Sequence, residues 1–492
     1  MKKKNDKPEK IKYNNSAKIA LIICIIIIVI NIIIALLGAF IPTFQLQYWE
    51  NVDLYYYSIK YALGQLFQIR ICNYIVTPFF LLIITIMGVA ILYDAFSQSK
   101  KLTKNKKYSL VNKIRIILFI LITIFGVNTI DYMLIEYNNP KIDTIYFEEQ
   151  SNKVYYVEDL EKYFYYLENK VIELSHKQNR DENGKIKYNN IEDIAVTDLK
   201  KISSDYKILK GYYPTKYYKF NDYDFSIDPS MYGVTNTDSI GINYEQETPQ
   251  LLNTITHELC HTRGIVRENE AVLCSVIAGI ESNNELSKYA AYLEAYSRFS
   301  DAYSLIDVDK SRESEERIFE LCHNNNYQEI CNLYRKDTRI YVKGSKSIEL
   351  QLFKIGTYDS NYLKELFNKL DKYNIKVYVD DKKISKEEVF NTNNTDKYLK
   401  IKIKNSKEIY SEIKDYLDNN KEKFIYIKEI YDGMYEGVDM SKEKAIKYYT
   451  SPIPNSNFIT SFNQKDMQEI FDYSRATRLI MEYLNHKNIN IN

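Results

Sequence analysis

Three apolar stretches near the start of the chain, at residues 19–41, 75–96 and 116–135, constrain the fold more than any other feature. The first carries no charge and has Asn31 as its one strongly polar side chain. At about 1.5 Å per residue, a helix of that length covers roughly the 30 Å of a bilayer's hydrocarbon core. The second is interrupted by Thr77, Pro78, Thr85 and Asp94, and the third carries Asn128 and Asp131 toward its end. A signal peptide is the competing reading of the first stretch, but the apolar core is long and no small-residue cleavage site follows it. The pattern predicts three membrane helices.

Basic residues then set the orientation. Seven Lys precede the first stretch, Lys60 and Arg70 lie between the first and second, and seven Lys or Arg separate the second from the third. By the positive-inside rule the N-terminus faces the cytoplasm, and everything after the third stretch lies outside it. The 47 tyrosines, with abundant Asn, Ile and Lys, read as the coding bias of an AT-rich bacterial genome. The expected location is therefore a bacterial cell membrane, crossed several times, with the lipid bilayer as a partner.

At 492 residues the chain is too long for one ordinary domain. We divide it into a membrane domain (1–140), a catalytic domain (141–350) and a C-terminal α+β extension (351–492) that ends in a helix over 465–484. The 66 Lys+Arg nearly balance the 65 Asp+Glu, which gives no reason to expect nucleic acid as a partner. Beyond residue 140 the spacing of apolar residues predicts helices over 157–177, 191–209, 248–263, 268–282, 289–305 and 314–333. Residues 217–227 and 239–244 read as strands, and 180–190 as a polar loop. Further on, 375–379 and 398–403 alternate like strands, a helix covers 407–419, and 355–425 reads as a small α+β insertion. The expected fold class is thus membrane-anchored α+β: three transmembrane helices, then a mainly helical zincin-like domain with a small sheet. No CxxC pair exists among the six cysteines, which excludes a thiolate zinc site; Cys322 and Cys331 are near enough in sequence to pair.

The chemistry concentrates at His257-Glu258-Leu259-Cys260-His261. Residues four apart share one face of a helix, so both imidazoles can reach a single ion. Glu258 sits where its carboxylate can approach an activated water without ligating, the arrangement of a zinc hydrolase. Independent-frequency counting puts chance occurrence of this pattern at about 0.003 per chain of this kind, so coincidence is set aside. The expected cofactor is Zn2+. No nearby histidine offers a third ligand; Glu268 or Glu270, on a helix starting after the turn at Gly264, does. The two lie about 200° apart around a helix, so only one can face the ion.

The stretch HELCHTRGIVRENEA, residues 257–271, resembles the signature of a bacterial membrane-protein family known as domain of unknown function 3810. Members of that family are similar in layout, with three membrane helices and an external domain carrying HELxHxRG and then RExEA. Residues 287–293 and 232–243 are also similar to segments flanking the family's motif. The resemblance covers residues 15–335, with a weaker echo in the last helix, and 355–425 departs from it. The motif looks like that of gluzincin-type metallopeptidases, which place a ligand Glu three residues before an Ala on the second helix. Glu268 and Ala271 match that offset, so the resemblance implies His257, His261 and Glu268 as metal ligands and Glu258 as the catalytic base.

The expected function is a membrane-anchored zinc metallopeptidase cleaving peptide or protein substrates outside the cytoplasm. The alternative is a non-catalytic domain whose zinc holds two helices together in a sensor or scaffold. Residues 239–244, before the motif, are the expected substrate-binding edge strand. No oxyanion partner is identifiable; Tyr289, Tyr292 and Arg267 are of types found more often in a core or on a surface.

Overall fold

A computed structural model describes residues 153–220, 233–235, 240–330, 338–343, 347–352, 360–391, 397–418, 441–451 and 475–487, with single positions at 355 and 394 and scattered ones between 29 and 76. The three stretches expected to cross a membrane lie almost wholly outside the described residues. Among the described residues no helix is long and apolar enough to cross a membrane. Ile75 and Val76, the start of the second expected helix, instead form strand β2 (Tyr74–Val76), antiparallel to β1 (Ile69–Ile71). The membrane-anchored fold class is corrected accordingly: what is described is mainly helical, with three small sheets. The physical reason is that a β-branched apolar run carries no periodicity separating a helix from a strand.

The larger unit is built from α1 (Val157–Ser175), α2 (Ile191–Ile202), α3 (Thr248–His261), α4 (Glu268–Ile280), α5 (Glu285–Ser304) and α6 (Val308–Asn324). Each boundary has a local cause. Pro249 opens the first turn of α3, where a missing N–H costs nothing. Asn284 accepts from Leu286 N and Ser287 N to start α5, four residues earlier than periodicity suggests. The expected helix over 191–209 breaks after Ile202, because Ser203 and Ser204 turn their hydroxyls onto the carbonyls of Lys200 and Lys201.

Helix α4 is apolar nearly all round and occupies the centre, with Ala271, Leu273, Val276 and Ile277 each 0% exposed. Gly279 lets α5 cross it closely: a Cβ there would lie 2.5 Å from Ala291 Cβ and 2.6 Å from Ser287 O. A three-stranded sheet of order β3-β5-β4 lies beside α3; β5 (Ile240–Asn243) pairs parallel with β3 (Tyr218–Phe220) and antiparallel with β4 (Gly233–Thr235).

A second core belongs to residues 338–418. Strands β6 (Thr338–Lys343), β7 (Ser347–Leu352), β8 (Lys376–Val379), β9 (Lys382–Ile384) and β10 (Leu399–Lys404) form an antiparallel sheet of order β6-β7-β10-β8-β9. Ile348, Leu350, Val377, Val379, Leu399 and Ile401 alternate inward against α7 (Ser360–Leu370) and, after the one-turn α8 (Lys386–Val389), α9 (Lys407–Asp418). Two of these five strands, β8 and β10, correspond to expected ones. Short α10 (Lys442–Thr450) and the last helix, α11 (Ala476–His486), return to the larger core. There Arg478 and Glu482, each with a 0% exposed side chain, pair at 2.6 Å. The same guanidinium also donates to the Thr450 and Lys153 carbonyls, tying three segments together. Removing one partner of such a pair typically costs about 3–5 kcal/mol, because a buried charge is left alone. Cys322 is buried, and Cys331, the residue near enough in sequence to pair with it, lies outside the described residues.

Candidate metal centre

Helix α3 presents His257 and His261 one turn apart, with their ring centroids 4.7 Å apart. The chain then reverses at Gly264, whose φ of +79° suits glycine, and re-enters a helix at Glu268. This reversal brings the Glu268 carboxylate back over the imidazoles. Oε2 lies 2.9 Å from His257 Nε2 and 3.4 Å from His261 Nε2, and the two Nε2 atoms are 3.1 Å apart. The same turn also orients a ring, since His261 Nδ1 donates to the Ile265 carbonyl at 2.6 Å and leaves Nε2 to face the cluster.

These three residues form the one group of His, Cys, Asp or Glu among the described residues that could hold a metal ion, with ligand atoms within 4.8 Å of one another. The donor set suits a cation. Two imidazole nitrogens facing each other at this distance repel unless a proton or a cation sits between them. The three side chains are 13–18% exposed, so solvent and a ligand can still reach them. Glu270 turns elsewhere; it is buried at 1% exposure and is no member of the cluster. Cys260, inside the motif, is also excluded: it faces the core, where burial, together with contact with Cys274, pushes its thiol well above the ordinary range.

The fold also places Glu258. Its side chain is buried, and its charge acts on His261. Above it passes β4: a Cβ on Gly233 would lie 2.5 Å from Glu258 Oε1 and 2.7 Å from its Cγ. Only a residue without a side chain lets the strand backbone approach the carboxylate so closely. The expected substrate strand, 239–244, is the middle strand β5 and has a neighbour on each side, so its ladder groups are already used. Among the described residues, the strand that lies at the sheet edge and touches Glu258 is β4. Among the residues weighed as oxyanion partners, Tyr289 donates to Glu329 at 2.8 Å, Tyr292 meets the Tyr166 hydroxyl at 3.2 Å, and Arg267 is the N-cap of α4.

The family described as "Protein of unknown function (DUF3810)" matches residues 55–364, more than half of the chain. The chain belongs to the DUF3810 family. No curated protein and no solved structure matches it. The DUF3810 match contains the whole His257–His261–Glu268 cluster, and most of the second core lies beyond its end.

Without metal, His261 and Glu268 each favour the other's charged form. Burial alone would lower the His261 pKa, but the Glu268 carboxylate outweighs it and raises the value to about 9. Burial would raise Glu268, yet hydrogen bonds from both histidines hold it far below the usual carboxylate range. A cation must therefore displace the His261 proton at neutral pH. Binding of a divalent cation at pH 7 should release about one proton from this pair, and affinity should rise about tenfold per pH unit until near pH 9. The metal-free protein shows the opposite trend. Stability from the His261–Glu268 pair should be complete between the ordinary pKa of Glu268, 4.5, and that of His261, 6.5; it should fall as pH rises through about 9 and fall again in acid as Glu268 takes a proton. Calorimetric zinc titrations in buffers of different ionisation enthalpy measure the release; none at pH 7 would contradict this protonation state.

Proposed function

We propose that this protein is a zinc metallopeptidase that hydrolyses peptide bonds with Glu258 as general base. The observation that carries the reading is the placement of the Glu258 carboxylate beside the His257–His261–Glu268 cluster and directly under the backbone of β4. Zinc is the metal that best fits the donors. Ligands about 2.0–2.1 Å from a tetrahedral zinc lie about 3.3 Å from one another. The observed separations are 2.9, 3.1 and 3.4 Å. Two histidines and one glutamate also leave a coordination position open, as in catalytic rather than structural zinc sites.

A zinc ion held there supplies Lewis acidity, which polarises the scissile carbonyl and acidifies water. The protein's own residues do the rest. His257, His261 and Glu268 fix the reacting centre between the end of α3 and the start of α4. Glu258 takes a proton from the attacking water as the new carbon–oxygen bond forms, then passes it to the amine nitrogen as the carbon–nitrogen bond breaks. An extended peptide aligned along the β4 edge would lie over Glu258, with main-chain hydrogen bonds setting its depth.

Digestion of a peptide library by the full-length protein tests the activity. Cleavage should appear with the isolated protein, vanish with a zinc chelator and return when zinc is restored. Zinc-loaded protein that cleaves nothing in the library would favour the metal as a structural clamp between α3 and α4.

A further inference from the structure

Arg263 follows the second histidine by two positions, yet its side chain is among the most buried in the protein, at 1% exposure. It runs back from the end of α3 and donates from Nη1 to the Tyr212 carbonyl at 3.0 Å. A buried guanidinium needs fixed acceptors, so residues 211–216 must themselves be held in place. Those residues are mostly irregular and cannot satisfy their own backbone groups by a helix or a ladder. Their partners come from about 150 positions earlier in the chain: Tyr212 N donates to Ser58 Oγ at 3.1 Å. Gln65 Oε1 accepts from Thr215 N at 3.2 Å and Lys216 N at 2.7 Å, while its Nε2 donates to the Lys216 carbonyl at 3.0 Å. Gln65, Tyr57 and Tyr61 are buried at 8%, 3% and 2% exposure, so these side chains are packed in rather than resting on the surface. All three parts meet at Gly211, whose φ is +124° and where a Cβ would collide with Ser58 Oγ and lie 2.9 Å from Arg263 Nη2.

We propose that Ser58 and Gln65, beside the buried Tyr57 and Tyr61, brace the metal-bearing helix, acting as positioning residues through residues 211–216 and Arg263. Division of the chain at residue 140 would cut this brace away from the helix it supports. The brace stands on geometry alone; only its effect on metal affinity rests on the zinc reading given above.

The full chain tests it with Gln65→Leu, Ser58→Ala and Gln65→Glu, the last keeping the acceptor that serves Thr215 N and Lys216 N. Two quantities are read: hydrogen exchange of the amides of residues 259–264, and zinc affinity by chelator competition. Gln65→Leu should speed that exchange and weaken zinc binding about 10-fold, the lower end of what loss of an outer-shell partner costs. Ser58→Ala should do the same to a smaller degree, and Gln65→Glu, which keeps one oxygen acceptor but loses the donor to the Lys216 carbonyl, should fall between wild type and Gln65→Leu. Should Gln65→Leu fail to fold, the milder Ser58→Ala carries the comparison. Unchanged exchange and unchanged affinity in the variants, whatever happens to the melting temperature, would overturn the brace. If the wild type itself binds no zinc, the metal reading fails, and exchange at residues 259–264 still decides the brace.

Discussion

Glu258→Gln should keep the metal and lose peptide hydrolysis by a factor of about 10²–10⁴ or more, the usual loss when a general base is removed. The two side chains have nearly the same shape, so the pocket under Gly233 should accept the amide without moving α3. The ligand nitrogens of His257 and His261 and the carboxylate of Glu268 are untouched by the change. What disappears is a basic oxygen that can take a proton from water. Zinc content and hydrolysis, measured on the same samples, separate the two roles: content should match wild type while the rate falls. Wild-type hydrolysis in the variant would remove Glu258 from the mechanism.

Much of this site was legible because helix geometry made it so. The four-residue spacing of His257 and His261 needs only a regular helix to converge on one ion, and α3 is regular through both. The choice between Glu268 and Glu270 was harder. It depends on where α4 starts, and Arg267 as its N-cap sends Glu268 toward the histidines and Glu270 into the core. The role of β4 was not legible at all. It is three residues long, and its importance lies in a non-local approach of Gly233 to Glu258. Assigning the substrate edge to 239–244 failed for a related reason: the parallel pairing of β3 with β5 is a long-range event that turns an apparent edge into a centre. The contact of Gln65 with residues 215–216 left no periodic trace either, since one amide side chain satisfies the backbone of a distant loop.

The second large effect concerns the ligands. Replacing both His257 and His261 by Ala should abolish zinc binding, because one carboxylate cannot hold the ion alone. Glu268→Gln should weaken it strongly, since the amide lacks the charge that now faces both Nε2 atoms. Glu270→Gln should leave it intact, because that carboxylate is outside the cluster. The measurement that tests the metal centre most directly is elemental analysis of the purified full chain beside these three variants. About one zinc per chain in wild type and Glu270→Gln, little in Glu268→Gln and none in the double histidine variant is the predicted result. A zinc-free wild type, or equal zinc in the double histidine variant, would contradict it.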